Sequence, residues 1–197
     1  MMRTIVVAAA LLLSPLAALA QGDVERLFEA GQYQQVVERA TPDASPGVQY
    51  LAGQSQQKLG ATDQAMAFYA RLAERPESDP WHFIGLSAQQ LASGEADAAA
   101  ETARQATAMA GDLPEAQYQL GLALAKKQEW RDASAAFDAA ANLNPANAYA
   151  HYYGGLMHYR ASRPDRMAIH FEQFLKLAPD APERPEVTQI MRTVRGK

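Results

Sequence analysis

Residues 114–147 read PEAQYQLGLALAKKQEWRDASAAFDAAANLNPAN, and this stretch decides the fold. Small and apolar residues recur at helical spacing, a polar break follows, and a second apolar helix ends at Asn144-Pro145. One period of 34 residues later, 148–181 repeats the plan, with Gly155 for Gly121, Phe171 for Phe137 and Pro179 for Pro145. A unit this short cannot bury its own apolar face, so neighbouring copies must stack. The chain is therefore an extended recognition surface.

Working outward, the pattern of helix hairpins covers nearly everything after residue 20. Helices are expected over 23–30 and 33–40, broken by Gly31 and stopped by Thr41-Pro42. Further pairs follow at 47–59 and 62–74, 80–93 and 96–110, 115–128 and 131–142, 149–161 and 165–177. Gly60, Gly94, Gly111 and Pro164 fall between periodic segments, as helix stops should. No stretch alternates polar and apolar residues long enough to suggest a strand.

The first twenty residues read as a secretory signal. Arg3 supplies a positive charge, 5–13 is an unbroken apolar run, and Ala18-Leu19-Ala20 offers small residues for cleavage, giving a mature start at Gln21. The apolar run of 9 residues falls short of the ~20 needed to span a membrane. Gln21 in place of Cys argues against a lipoprotein anchor, and no later segment is apolar enough to span. The expected location is the periplasm or the exterior.

The remaining 177 residues carry 17 basic and 22 acidic side chains, a formal charge of −5. With no run of Lys or Arg, the acidic balance argues against nucleic-acid binding, and no nucleic-acid partner is expected. The chain has no cysteine, so disulfides, thiolate catalysis and thiol metal sites are excluded.

These residues resemble the tetratricopeptide repeat (TPR) family. Its first helix carries a Leu-Gly pair, matched by Leu120-Gly121 and more weakly by Ala52-Gly53, Ile84-Gly85 and Gly154-Gly155. Its second helix has a small residue at the crossing, matched by Ala65, Ala99 and Ala133, with Met167 departing. One turn later comes an aromatic: Tyr69, Phe137 and Phe171, with Ala103 lacking it. Leu72, Ala106, Ala140 and Phe174 hold the next packing position, and Pro76, Pro145 and Pro179 end their units, with Gly111 once in that place. The resemblance implies an all-α, right-handed superhelical solenoid. Its units are a degenerate repeat at 23–42 and full repeats at 46–79, 80–113, 114–147 and 148–181. In the third copy Trp81 and Gly85 suggest a register one or two residues from that of Gly94, Ala99 and Ala106, so a lengthened helix or turn is expected there. Residues 185–195 place Val187, Ile190, Met191 and Val194 on one stripe and read as a capping helix.

Function in such solenoids lies on the concave wall. Carrying over the family's inward positions gives Tyr50, Gln54 and Lys58 in one copy, Tyr118, Leu122 and Lys126 in another, and Tyr149, Tyr152, Leu156, Tyr159 and Arg160 in the last. Tyr50, Tyr118 and Tyr152 share a phase and suggest a ladder; Lys58, Lys126 and Arg160 suggest a parallel basic row. That pairing suits a protein or peptide partner, with an acidic segment or free C-terminus as one form of it. The Lys and Asn that clamp chaperone C-termini in some family members are absent, since Tyr50 and Gln54, or Tyr118 and Leu122, stand there.

No enzyme, cofactor or metal is expected. His151 and His158 lie seven apart on one helix face, but at positions where the family packs aromatics. Neither a His-Glu-x-x-His pair, nor a calcium loop, nor a phosphate-cradling Gly loop is present. Two readings remain: an envelope adaptor or assembly factor binding a peptide in the concave groove, or a self-associating scaffold using convex or terminal surfaces.

Overall fold

The computed structural model describes residues 15–195, and every element it describes is a helix. In order these are α1 (Pro15–Glu29), α2 (Tyr33–Arg39), α3 (Pro46–Lys58), α4 (Thr62–Ala73), α5 (Pro80–Ala92), α6 (Ala96–Met109), α7 (Pro114–Lys126), α8 (Trp130–Leu143), α9 (Ala148–Arg160), α10 (Pro164–Leu177) and α11 (Arg184–Arg195). Each packs on the next, α1 also packs on α3, and α5 on α7. This is an all-α solenoid of helix hairpins. Among the described residues no helix is long and apolar enough to cross a membrane.

The period is kept without a slip. First helices begin at 46, 80, 114 and 148, and second helices at 62, 96, 130 and 164. Local chemistry sets these starts. Ser45, Asp79 and Asn147 accept the backbone N–H of Val48, Trp81 and Ala150, while Pro46, Pro80 and Pro114 take the first helical position, where no N–H is needed. The hairpin turn requires a left-handed residue at 60, 94, 128 and 162. Gly60 and Gly94 supply it at φ 77° and 86°, but Gln128 and Ser162 adopt it at 63° and 58° with a Cβ in place.

The lengthened third copy that the sequence suggested does not form. Gly85, the residue behind that expectation, serves another contact: a Cβ there would lie 2.5 Å from Leu72 Cβ and 2.7 Å from the Ala73 nitrogen, so it lets α5 close on α4. The true equivalent of Gly121 is Ser87. The hairpin crossing pairs Gly53 with Tyr69, Gly121 with Phe137 and Gly155 with Phe171, where a Cβ would meet the ring at 2.3, 2.8 and 2.4 Å. In the third copy Ala103 replaces the aromatic, so the facing position can hold a serine. The remaining packing positions, Ala65, Ala99, Ala133 and Met167, and Leu72, Ala106, Ala140 and Phe174, are all buried.

Residues 1–14 of the expected export signal lie outside the described residues. Helix α1 runs through the expected cleavage point; cutting after Ala20 would leave residues 21–29, which carry the buried Val24 and Phe28. At the other end, α11 buries Val187 and Met191 against the core, with Ile190 and Val194 beside them.

Candidate functional site

The first helices of the repeats, α3, α5, α7 and α9, turn the same register toward the interior. Position 50 recurs as Ile84, Tyr118 and Tyr152, and all four are buried. The expected ladder of groove-lining tyrosines is therefore an internal spine. Tyr50 donates its hydroxyl to Gln119 Oε1 at 2.6 Å, Gln119 Nε2 donates to Ser87 Oγ at 3.0 Å, and Ser87 Oγ donates to the Ala99 carbonyl at 2.8 Å. This buried relay ties three consecutive repeats together and leaves the Tyr50 phenol neutral, its pKa pushed up by burial. Tyr118 packs edge-on to Phe137 and Tyr153, whose ring stacks on Phe137.

The spine is closed because the ends of the solenoid meet. Phe28 of α1 packs edge-on to Tyr149 with ring centres 4.9 Å apart, and the Ala148 N–H donates to Glu29 Oε1 at 3.2 Å. The Tyr33 and Tyr149 hydroxyls lie 3.2 Å apart, and a Cβ on Gly31 would stand 2.7 Å from Pro182 Cγ. Tyr152 donates to Glu186 at 3.0 Å.

The basic row does not assemble. Lys58 Nζ is bonded to Glu183 Oε1 at 2.6 Å, the Arg160 guanidinium lies over the Trp130 ring at 5.5 Å, and Lys126 is exposed with no ion pair among the described residues. Gln54 is buried, Leu122 and Leu156 are half-buried, and Tyr159 is exposed. The acidic partner expected from that row loses its basis, because the row's first charge is already neutralised internally.

What these elements do enclose is a cavity of ≈ 40 Å³ between α1, α3, α7 and α9. Phe28, Tyr50, Tyr118 and Tyr149 form apolar wall, and Glu25, Glu29 and Glu115 stand at it. None of these carboxylates has an ion-pair partner among the described residues. Burial pushes Glu29 up to about 7, partly offset by the Ala148 N–H, with Glu25 adding repulsion. Burial also raises Glu115, and Glu25 again adds to the shift. On this measure one water needs roughly 10–15 Å³, so the cavity has room for a small polar group.

Sequence reasoning missed Glu25, Phe28, Glu29, Glu115 and Tyr153. A signal for one of them existed: Glu115 occupies the repeat position of Trp81 and Tyr149, an inward position in the copies either side. The α1 residues carry no such periodic mark, because α1 belongs to the degenerate copy.

No family model matches the chain, and no curated protein does. Solved structures do. A thermophilic TPR protein from Thermus thermophilus superposes with a TM-score of 0.61 at 18% identity, covering 90% of this chain and 97% of the other. A crystal structure of MamA superposes at 0.51 and 18% identity, covering 81% of this chain and 91% of that one. With the unbroken 34-residue period and the Gly–aromatic crossings, these likenesses establish that the chain has the tetratricopeptide-repeat fold.

Proposed function

We propose that the chain is a non-enzymatic protein-interaction adaptor of the bacterial cell envelope, exported by its N-terminal signal and binding a partner segment at the concave side. The observation that carries this reading is the cavity beside α1: three carboxylates with no ion-pair partner among the described residues, set against aromatic walls. Carboxylates beside π-faces favour a cation through both charge and ring quadrupole. The partner group is therefore the ammonium or guanidinium end of a Lys or Arg side chain, presented by a segment lying across the mouth. The export half of the reading rests on residues 1–20, and the adaptor half on the site and the stacked fold.

The test is crosslinking in native envelope extract, comparing wild type with Glu29→Gln/Glu115→Gln, both checked by circular dichroism for intact helices. The adaptor reading expects a partner whose crosslinked segment holds Lys or Arg, captured by wild type and lost by the variant. Equal capture by both would move the contact to the convex face or the ends. Mass spectrometry of the extracted protein should find Gln21 at the N-terminus; an intact Met1 would remove the export half.

A further inference from the structure

The strongest constellation outside the cavity is a histidine cluster assembled from three consecutive helices. Asp138 comes from α8, His151 and His158 from α9, and His170 from α10. Asp138 Oδ1 lies 2.9 Å from His158 Nε2 and 2.9 Å from His170 Nε2, and one ligating atom from each residue falls within 4.8 Å of the other two. His158 is 1% exposed and His170 8%, while the Asp138 side chain at 29% opens the group to solvent on one side.

The outer hydrogen bonds bear on which nitrogens of His151 and His170 carry protons, whereas the buried His158 Nδ1 has no partner among the described residues. His151 Nε2 lies 3.2 Å from the Pro145 carbonyl, which can only accept, so His151 donates from Nε2. A neutral His151 then has a lone pair on Nδ1, which faces His170 Nδ1 at 3.3 Å, so His170 donates from Nδ1. A neutral His170 is left with its Nε2 lone pair pointing at a carboxylate oxygen 2.9 Å away. Two acceptors at that distance repel unless a positive charge lies between them. The Pro145–His151–His170 chain is also how outer-sphere bonds set a ligating imidazole, with the far nitrogen donating and the near one free.

We propose that Asp138, His158 and His170 bind a divalent first-row transition metal, zinc by the character of the donors. Two imidazole nitrogens and one carboxylate oxygen suit Zn²⁺, with the solvent side of Asp138 leaving a fourth position for water. Metal–ligand bonds of about 2.0–2.2 Å place ligand atoms somewhat farther apart than 2.9 Å, so the three side chains open slightly on binding. Bridging α8, α9 and α10, the ion would lock the last full repeat to its neighbour. The sequence hid the site because its residues are 12 to 32 positions apart and form no local motif.

The experiment is a Co²⁺ titration of the untagged, chelator-stripped protein at neutral pH, followed by visible absorption, with Zn²⁺ as competitor. A single saturable equivalent with the bands of a low-coordinate N/O site, displaced by Zn²⁺ and raising the thermal midpoint, is expected. Asp138→Asn and His170→Gln should abolish it, and His151→Phe should weaken affinity by about 10–100-fold. His82→Gln, on a histidine outside the cluster bonded to the Arg75 carbonyl, should change nothing. No saturable Co²⁺ binding by wild type overturns the proposal whatever the variants do. Binding that survives in folded Asp138→Asn and His170→Gln overturns it equally.

Discussion

Lys58 Nζ and Glu183 Oε1 stand 2.6 Å apart although 125 positions separate them. The other oxygen of Glu183 accepts the Tyr149 hydroxyl at 2.8 Å, and the Tyr33 hydroxyl reaches Tyr149 at 3.2 Å. One carboxylate between α10 and α11 thus holds α3 and α9 in one network with the opening hairpin. A stack of repeats needs only nearest-neighbour contacts; this one adds a clasp between its ends.

Glu183→Ala removes that clasp and leaves Lys58 and the Tyr149 hydroxyl without their shared acceptor. Stability should fall by about 1–3 kcal/mol, read as a lower urea midpoint. A midpoint unchanged from wild type would mean that the remaining contacts, Phe28 on Tyr149 and Ala148 N–H to Glu29, hold the ends without this carboxylate.

The left-handed turn position offers a gain. Gln128 and Ser162 hold φ of 63° and 58°, where a Cβ is unfavourable. Gln128→Gly and Ser162→Gly should each stabilise by up to about 1 kcal/mol, and Gly94→Ala, at φ 86°, should cost about as much. Thermal midpoints of the three variants measure both signs.

Two glycine-to-alanine changes within helices should move in opposite directions. At Gly155 the new Cβ would meet the Phe171 ring at 2.4 Å, so overpacking should cost about 1–3 kcal/mol. At Gly22 nothing lies within 4 Å, and in the uncut chain, where Gly22 lies inside α1, the substitution should stabilise the helix by roughly 0.5–1 kcal/mol. Denaturant unfolding of both variants separates packing from propensity.

Glu29 sets a pH dependence. Its folded pKa, about 7, exceeds the ordinary glutamate value of 4.5, so its contribution is fully present below the lower figure and is lost as pH rises through the upper. Glu29→Gln, which keeps an uncharged polar side chain, should therefore match wild type at acid pH. Above neutrality it should be more stable by roughly 1–2 kcal/mol, allowing for solvent screening. Partner capture should run the other way, strengthening in wild type as Glu29 ionises. Parallel stability curves for the two proteins would show that Glu29 keeps an ordinary carboxylate pKa.

The period was readable because it rests on local chemistry. Pro114, Asn147, Gly60 and Gly94 act on their own turn of backbone, and Gly121 and Phe137 lie within one hairpin. Gly85 misled for the complementary reason: its role depends on α4 of the preceding copy, whose approach no local pattern records. The inward register of Tyr50, Tyr118 and Tyr152 was also readable, since it follows from the 34-residue phase.

Whether that register faces solvent was a matter of closure. Periodicity fixes which side of each helix points inward, and so by itself the sequence determined an all-helical stack with a tyrosine-rich inner face. Only the tertiary structure decided that Phe28 and Glu29 cover part of that face, that Glu183 takes the charge of Lys58, and that Asp138 meets His158 and His170. Those contacts depend on how small rotations between successive hairpins accumulate along the stack, a sum that no single repeat encodes.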